Sequence, residues 1–203
     1  MTDADEKAEL IYYLQTGRQA LLWKLDGLTE YDARRPLVPS GTNLLGLVKH
    51  LAGVEAGYFG AVFGRPFTGH LPWMQEDSEP NADMWATRTE SQEEILDLYR
   101  RVREHSDETI DALSLEAVGH VPWWSPQRAD VTLRRIMIHL TAETHRHAGH
   151  ADIVRELIDG AVGLQKNNDN MPPGDAAWWE AYRERLETAA RGQGDHRDGG
   201  PTT

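Results

Sequence analysis

"HLTAETHRHAGHADIVRELIDG", residues 139–160, carries four histidines, no proline and a terminal glycine. Its periodicity decides the fold. An α-helix turns by about 100° per residue, so the stretch can be laid on a wheel together with the residues just before it. Leu133, Ile136, Met137, Leu140, Ala151, Val154 and Ile158 fall within roughly 100° of arc, the signature of a helix with one buried face. Asp130 or Thr132 can cap its start, and Gly160 is a natural C-terminal stop. A helix this amphipathic needs neighbours that cover its apolar arc.

The rest of the chain offers them in helical form. A first helix is predicted from about Asp5 to Leu25, with Leu10, Leu14, Gly17, Leu21 and Leu25 along one side. A second follows the breaker "PSGTN", capped by Thr42 or Asn43, and runs to about Phe63 before Gly64 and Pro66. Its inward stripe reads Leu47, His50, Leu51, Val54 and Tyr58. Ser91 with Glu94 forms a capping-box pattern that opens a third helix to about Leu113, whose seam is Ile95, Leu98, Val102, Thr109 and Leu113. No segment alternates apolar and polar residues long enough to propose a sheet. The expectation is an all-α single domain over residues 1–190, with a short fifth helix in "GDAAWWEAYRERLETAARG" whose Trp178, Trp179 and Tyr182 pack on the bundle. A disordered tail is expected over 191–203.

Two connections stand out. "GRPFTGHLPWMQEDSEPNADMWATRTE" (64–90) is too rich in Gly, Pro and polar residues to be regular, yet it carries Trp73 and Trp85. "GHVPWWSPQRAD" (119–130) carries Trp123 and Trp124. Large aromatics in long loops suggest walls over a site, or simple anchoring.

Composition narrows the function. The chain has 203 residues, no cysteine and a formal net charge of −12. Nucleic-acid binding depends on Lys and Arg displacing counterions, so this charge argues against it. No apolar run is long enough for a membrane span, and the acidic start "MTDADEKAEL" is unlike a secretory signal, so a cytoplasmic protein is expected, as monomer or homodimer. Without cysteine, any thiol chemistry must use a thiol from outside.

The polar residues on the inward faces carry the chemistry. Glu143 and His147 lie inside the apolar arc, one turn apart and able to point at a common atom. His139 and His150 lie near its edge, and His145 lies opposite. A lone buried carboxylate costs several kcal/mol unless a cation or hydrogen-bond donor meets it. His50 repeats the anomaly on the second helix. A His, Glu, His set suits a borderline divalent ion such as zinc, with nickel also possible, and leaves a coordination position open. His139 and His150 read as neighbours of the ligands or rim residues, either of which could replace a ligand.

"LVKHLAGVEAGYFG" (47–60) followed by "ETHRHAGHADIVRELIDG" (143–160) resembles the DinB-like superfamily. Within it the chain is most similar to an actinobacterial branch that includes the mini-circle proteins and, more distantly, to the N-terminal domain of mycothiol-dependent maleylpyruvate isomerase. The resemblance implies a four-helix bundle with one long crossover and a divalent metal near one end. The ligand positions of the isomerase-like branch fall on His50, Glu143 and His147. That isomerase has a further C-terminal domain contributing to its site, so maleylpyruvate is not expected as substrate here. The activity implied is a metal-dependent transferase joining a low-molecular-weight thiol such as mycothiol to a small electrophile. The alternatives are a metal-dependent hydrolase on the same ligands, or a non-enzymatic metal-binding or stress-response protein.

Overall fold

The computed structural model describes residues 2–75, 77–166 and 168–192. The chain forms two compact units, residues 1–169 and residues 170–203. The first contains α1 (Asp3–Trp23), α2 (Glu30–Arg34), α3 (Leu44–Glu55), α4 (Gln92–Ala112), α5 (Pro126–Ala129) and α6 (Leu133–Asp159). The second contains α7 (Ala176–Gly192), on which Trp178 stacks against Tyr182 with ring centroids 5.4 Å apart. The expected tail lies outside the described residues from 193 onward. The protein is an all-α helical bundle: α1 packs on α6, α3 packs on both α4 and α6, and none of the helices is long and apolar enough to cross a membrane, among the described residues.

Local chemistry sets the helix ends. Ser91 and Glu94 close a reciprocal capping box at the start of α4, satisfying two otherwise unpaired N–H groups. Asn43, rather than Thr42, caps α3 by accepting from the Gly46 N–H at 2.8 Å. Thr132, rather than Asp130, caps α6, and Gly160 ends it in the left-handed conformation at φ 79°, where a Cβ would be strained. The first helix begins and ends about two residues earlier than its pattern suggests.

Three features depart from the sequence reading. The second bundle helix does reach Phe63, but it widens into a π-helical turn at Ala56–Gly60 and tightens into a 3₁₀ turn at Ala61–Phe63. Such an insertion leaves no trace in an apolar stripe, and π turns often mark functional positions. A two-stranded antiparallel hairpin pairs β1 (Val118–His120) with β2 (Asp130–Thr132), where no strand was expected. Three-residue strands are too short for alternation to register. The hairpin lies on the end of the second helix because Gly119 has no side chain: a Cβ there would come within 2.8 Å of Val62 and Phe63. The five-residue α2, capped by Thr29, was likewise unexpected.

The core holds apolar residues from all four long helices, among them Leu21, Leu47, Leu51, Val102 and Leu140. It also encloses charge that the apolar stripes did not reveal. Arg18 and Glu55 are both fully buried and paired, and Tyr99 Oη donates to Glu55 at 3.0 Å. Burial works against the Arg18 charge, but Glu55, Tyr99 and Asp107 outweigh it and raise its pKa. Losing one partner of such a pair costs about 3–5 kcal/mol, so this contact ties α1 firmly to α3.

The long crossover between α3 and α4 is held against α3 by backbone proximity. A Cβ on Gly46 would sit 1.8 Å from the Met84 carbonyl oxygen, and one on Gly53 would sit 2.7 Å from Met74 Sδ. Asn43 Nδ2 donates to that same Met84 carbonyl at 3.2 Å. Lys49 donates to the Trp85 carbonyl at 2.9 Å, pairs with Glu90, and lies 4.3 Å from the Trp73 ring centre. Gly46, His50 and Gly53 are four and three residues apart and share one helix face. The crossover therefore covers the face that presents His50.

Candidate metal centre

His50 comes from α3, and Glu143 and His147 come from α6. One donor atom from each lies within 4.8 Å of the others. His147 Nε2 is 3.0 Å from Glu143 Oε1, and His50 Nε2 is 3.7 Å from the same oxygen. The two imidazole rings meet edge to face with centroids 4.8 Å apart. His147 is buried, while His50 and Glu143 are half-buried. This is the only group of three or more His, Cys, Asp or Glu side chains suited to an ion among the described residues.

The outer contacts decide which atoms converge. His50 Nδ1 lies 2.6 Å from Asp83 Oδ2. A carboxylate only accepts, so Nδ1 carries the proton and Nε2 keeps a free lone pair facing Glu143. Asp83 stands in a 3₁₀ turn, Ala82–Met84, of the crossover. Nothing local in the sequence distinguishes Asp83 from the other loop acids; what sets it apart is Gly46, which lets the loop approach. His147 differs: its Nε2 donates to the Glu143 carboxylate at 3.0 Å, a proton that an ion at the focus would displace, and its Nδ1 lies 3.3 Å from His150 Nδ1. A carboxylate on the far ring nitrogen, as Asp83 is for His50, is a common partner of metal-ligating histidines.

Electrostatics favour the ligating protonation states. Burial pushes Glu143 up, but the His147 hydrogen bond and the charges of His147, His50 and Arg146 outweigh it and hold the carboxyl below its usual range. Burial, and then the neighbouring His50, push His147 down, with Glu143 opposing. Glu143 is therefore ionised and His147 neutral at pH 7, as coordination requires. Two imidazoles and one carboxylate with a common focus fit a divalent cation of the zinc type. Three such ligands would leave part of a bound ion's coordination sphere to an outside ligand.

The remaining histidines sit apart from this focus. His145 Nε2 donates to the Tyr13 carbonyl at 2.9 Å, on the side of α1. His150 is exposed and meets the site only through His147. His139 stands edge-on to Tyr58 and Trp124, with centroids 5.0 and 5.3 Å away, and burial lowers its pKa. Of the four loop tryptophans, Trp123 and Trp124 reach the second helix, both donating their indole N–H to Tyr58 Oη, at 3.0 and 2.9 Å. Trp73 lies on the α3 side against Lys49, and Trp85 is largely exposed.

Residues 9–160 match a protein family described as "MST: Mycothiol-S-transferase". No curated protein matches the chain.

Proposed function

The chain belongs to the mycothiol-S-transferase family, and from that premise we propose that it is a metal-dependent transferase joining mycothiol, or a thiol of that kind, to a small electrophile. One observation carries the reading: three donor atoms from two helices share a focus within 4.8 Å. A thiol ordinarily titrates near pH ~8.5 and attacks only as thiolate, and a divalent cation held by His50, Glu143 and His147 would supply the charge that keeps it deprotonated at neutral pH.

The chain's own residues set the conditions for that chemistry. Asp83 holds the tautomer and direction of His50, and His150 meets the far ring nitrogen of His147. Glu143, kept ionised, would bring a negative charge to the ion. No protein cysteine competes for the electrophile. A structural zinc site is closed by four protein ligands, whereas a fourth donor does not join this group among the described residues, which favours an open, reactive position over a scaffolding one. Zinc and nickel both suit the donor set.

The test is metal analysis of untagged protein followed by transfer assays with mycothiol and an alkylating dye. One equivalent of divalent ion and metal-dependent conjugation are expected. Protein that holds the ion but conjugates no thiol would favour a hydrolytic or scaffolding site.

A further inference from the structure

Tyr58 is placed by the π turn, and its oxygen receives two indole N–H groups. A phenol oxygen has two lone pairs and one proton. With Trp123 and Trp124 on the lone pairs, the hydroxyl is left to act as a donor. The Trp123 ring lies over Gly57 of that turn, where a Cβ would meet it at an ordinary contact distance of 3.5 Å. On the facing helix Tyr58 meets His139, one turn before Glu143. Along α3 and the π turn it lies two turns beyond His50, on the same stripe. Trp123 is 53% accessible, so the cluster lies at the protein surface.

We propose that Tyr58 is the hydrogen-bond and proton donor to the electrophile, and that the substrates are compounds in which attack throws negative charge onto oxygen, such as epoxides and α,β-unsaturated carbonyls. This rests on the transferase reading above. In an epoxide the thiolate sulfur forms a bond to carbon, the carbon–oxygen bond breaks with its electron pair on oxygen, and that oxygen takes the Tyr58 proton. The resulting phenolate keeps both indole donors and recovers a proton from water. In an enone the sulfur bonds to the terminal carbon, the π electrons move to the carbonyl oxygen, and the same proton is delivered there. Preorganised donors aimed at developing oxyanions are a large source of catalysis.

The experiment compares Tyr58→Phe with the parent protein, using mycothiol and two electrophiles. Styrene oxide needs a proton on its leaving oxygen; iodoacetamide loses iodide and needs none. Metal content and circular dichroism are measured on both proteins. Tyr58→Phe should lower kcat with styrene oxide by about 10²-fold or more, the usual range for a lost general acid, and affect iodoacetamide far less. Trp123→Phe removes one of the two indole donors that hold the phenolate, so it should lower the styrene oxide rate relative to the iodoacetamide rate in the same direction as Tyr58→Phe but by a smaller factor. An equal loss with both electrophiles in Tyr58→Phe would overturn the assignment and leave Tyr58 a packing residue. A parent protein that conjugates iodoacetamide but not styrene oxide would refute the substrate class while sparing the transferase reading. Conjugation of neither would sink that reading itself.

Discussion

Asp83 reaches His50 across 33 residues of chain and meets its Nδ1 at 2.6 Å. The contact gives a loop acid control over the tautomer of a helix imidazole, and with it the direction of the lone pair that faces Glu143. It depends in turn on two glycines and an asparagine of α3 that hold the crossover close. The site is thus built from three segments: one face of α3, one face of α6 and the turn that carries Asp83.

Replacing Asp83 with Asn should leave the bundle folded but weaken metal binding by about 10–100-fold, the usual cost of losing an outer partner of a ligating histidine. Competition titration against a chromophoric chelator measures it. Unaltered affinity would make Asp83 a bystander.

Gly46→Ala acts at a distance. Its Cβ would fall 1.8 Å from the Met84 carbonyl, and neither backbone can yield cheaply. Thermal and denaturant unfolding should show a loss of about 1–3 kcal/mol, typical of overpacking, together with weaker metal binding as Asp83 is carried away from His50. Wild-type affinity in a destabilised variant would separate the crossover from the site.

His147→Ala and His145→Ala should behave differently although they are two residues apart. The first removes a proposed ligand and should abolish most metal binding; the second removes a hydrogen bond to the Tyr13 carbonyl, which costs about 1 kcal/mol of stability and leaves the ion in place. Elemental analysis of both proteins decides the matter, and equal metal content would defeat the ligand assignment.

The metal-free protein should lose stability in mild acid. Burial, joined by His50, lowers the pKa of His147 from 6.5, and burial lowers that of His139. The unfolded chain then binds these protons more readily than the folded one. Their stabilising contribution is full above pH 6.5 and is lost as pH falls through the lower folded values. Melting temperatures should decline from pH 7 to 5, before the carboxylates titrate. A flat profile across that window would show that neither imidazole is held neutral by the fold.

The sequence by itself determined the four long helices, most of their caps and the inward positions of His50, Glu143 and His147, because helical period and capping are properties of neighbouring residues. The resemblance between "LVKHLAGVEAGYFG" and "ETHRHAGHADIVRELIDG" and a known superfamily added the family. Tertiary structure alone decided what pairs with those side chains. The buried Arg18 and Glu55 look like surface residues in any local window, since each is acceptable inside only because the other is there. The π turn at Ala56–Gly60 leaves no mark in the apolar stripe, and the hairpin at Val118–Thr132 has strands too short for alternation and packs through Gly119 on Val62 and Phe63. Asp83 is one acid among several in a loop without periodicity, and only the close approach permitted by Gly46 sets it apart. Local patterns place a residue on a face; which group stands opposite that face is fixed by packing between segments distant in the chain.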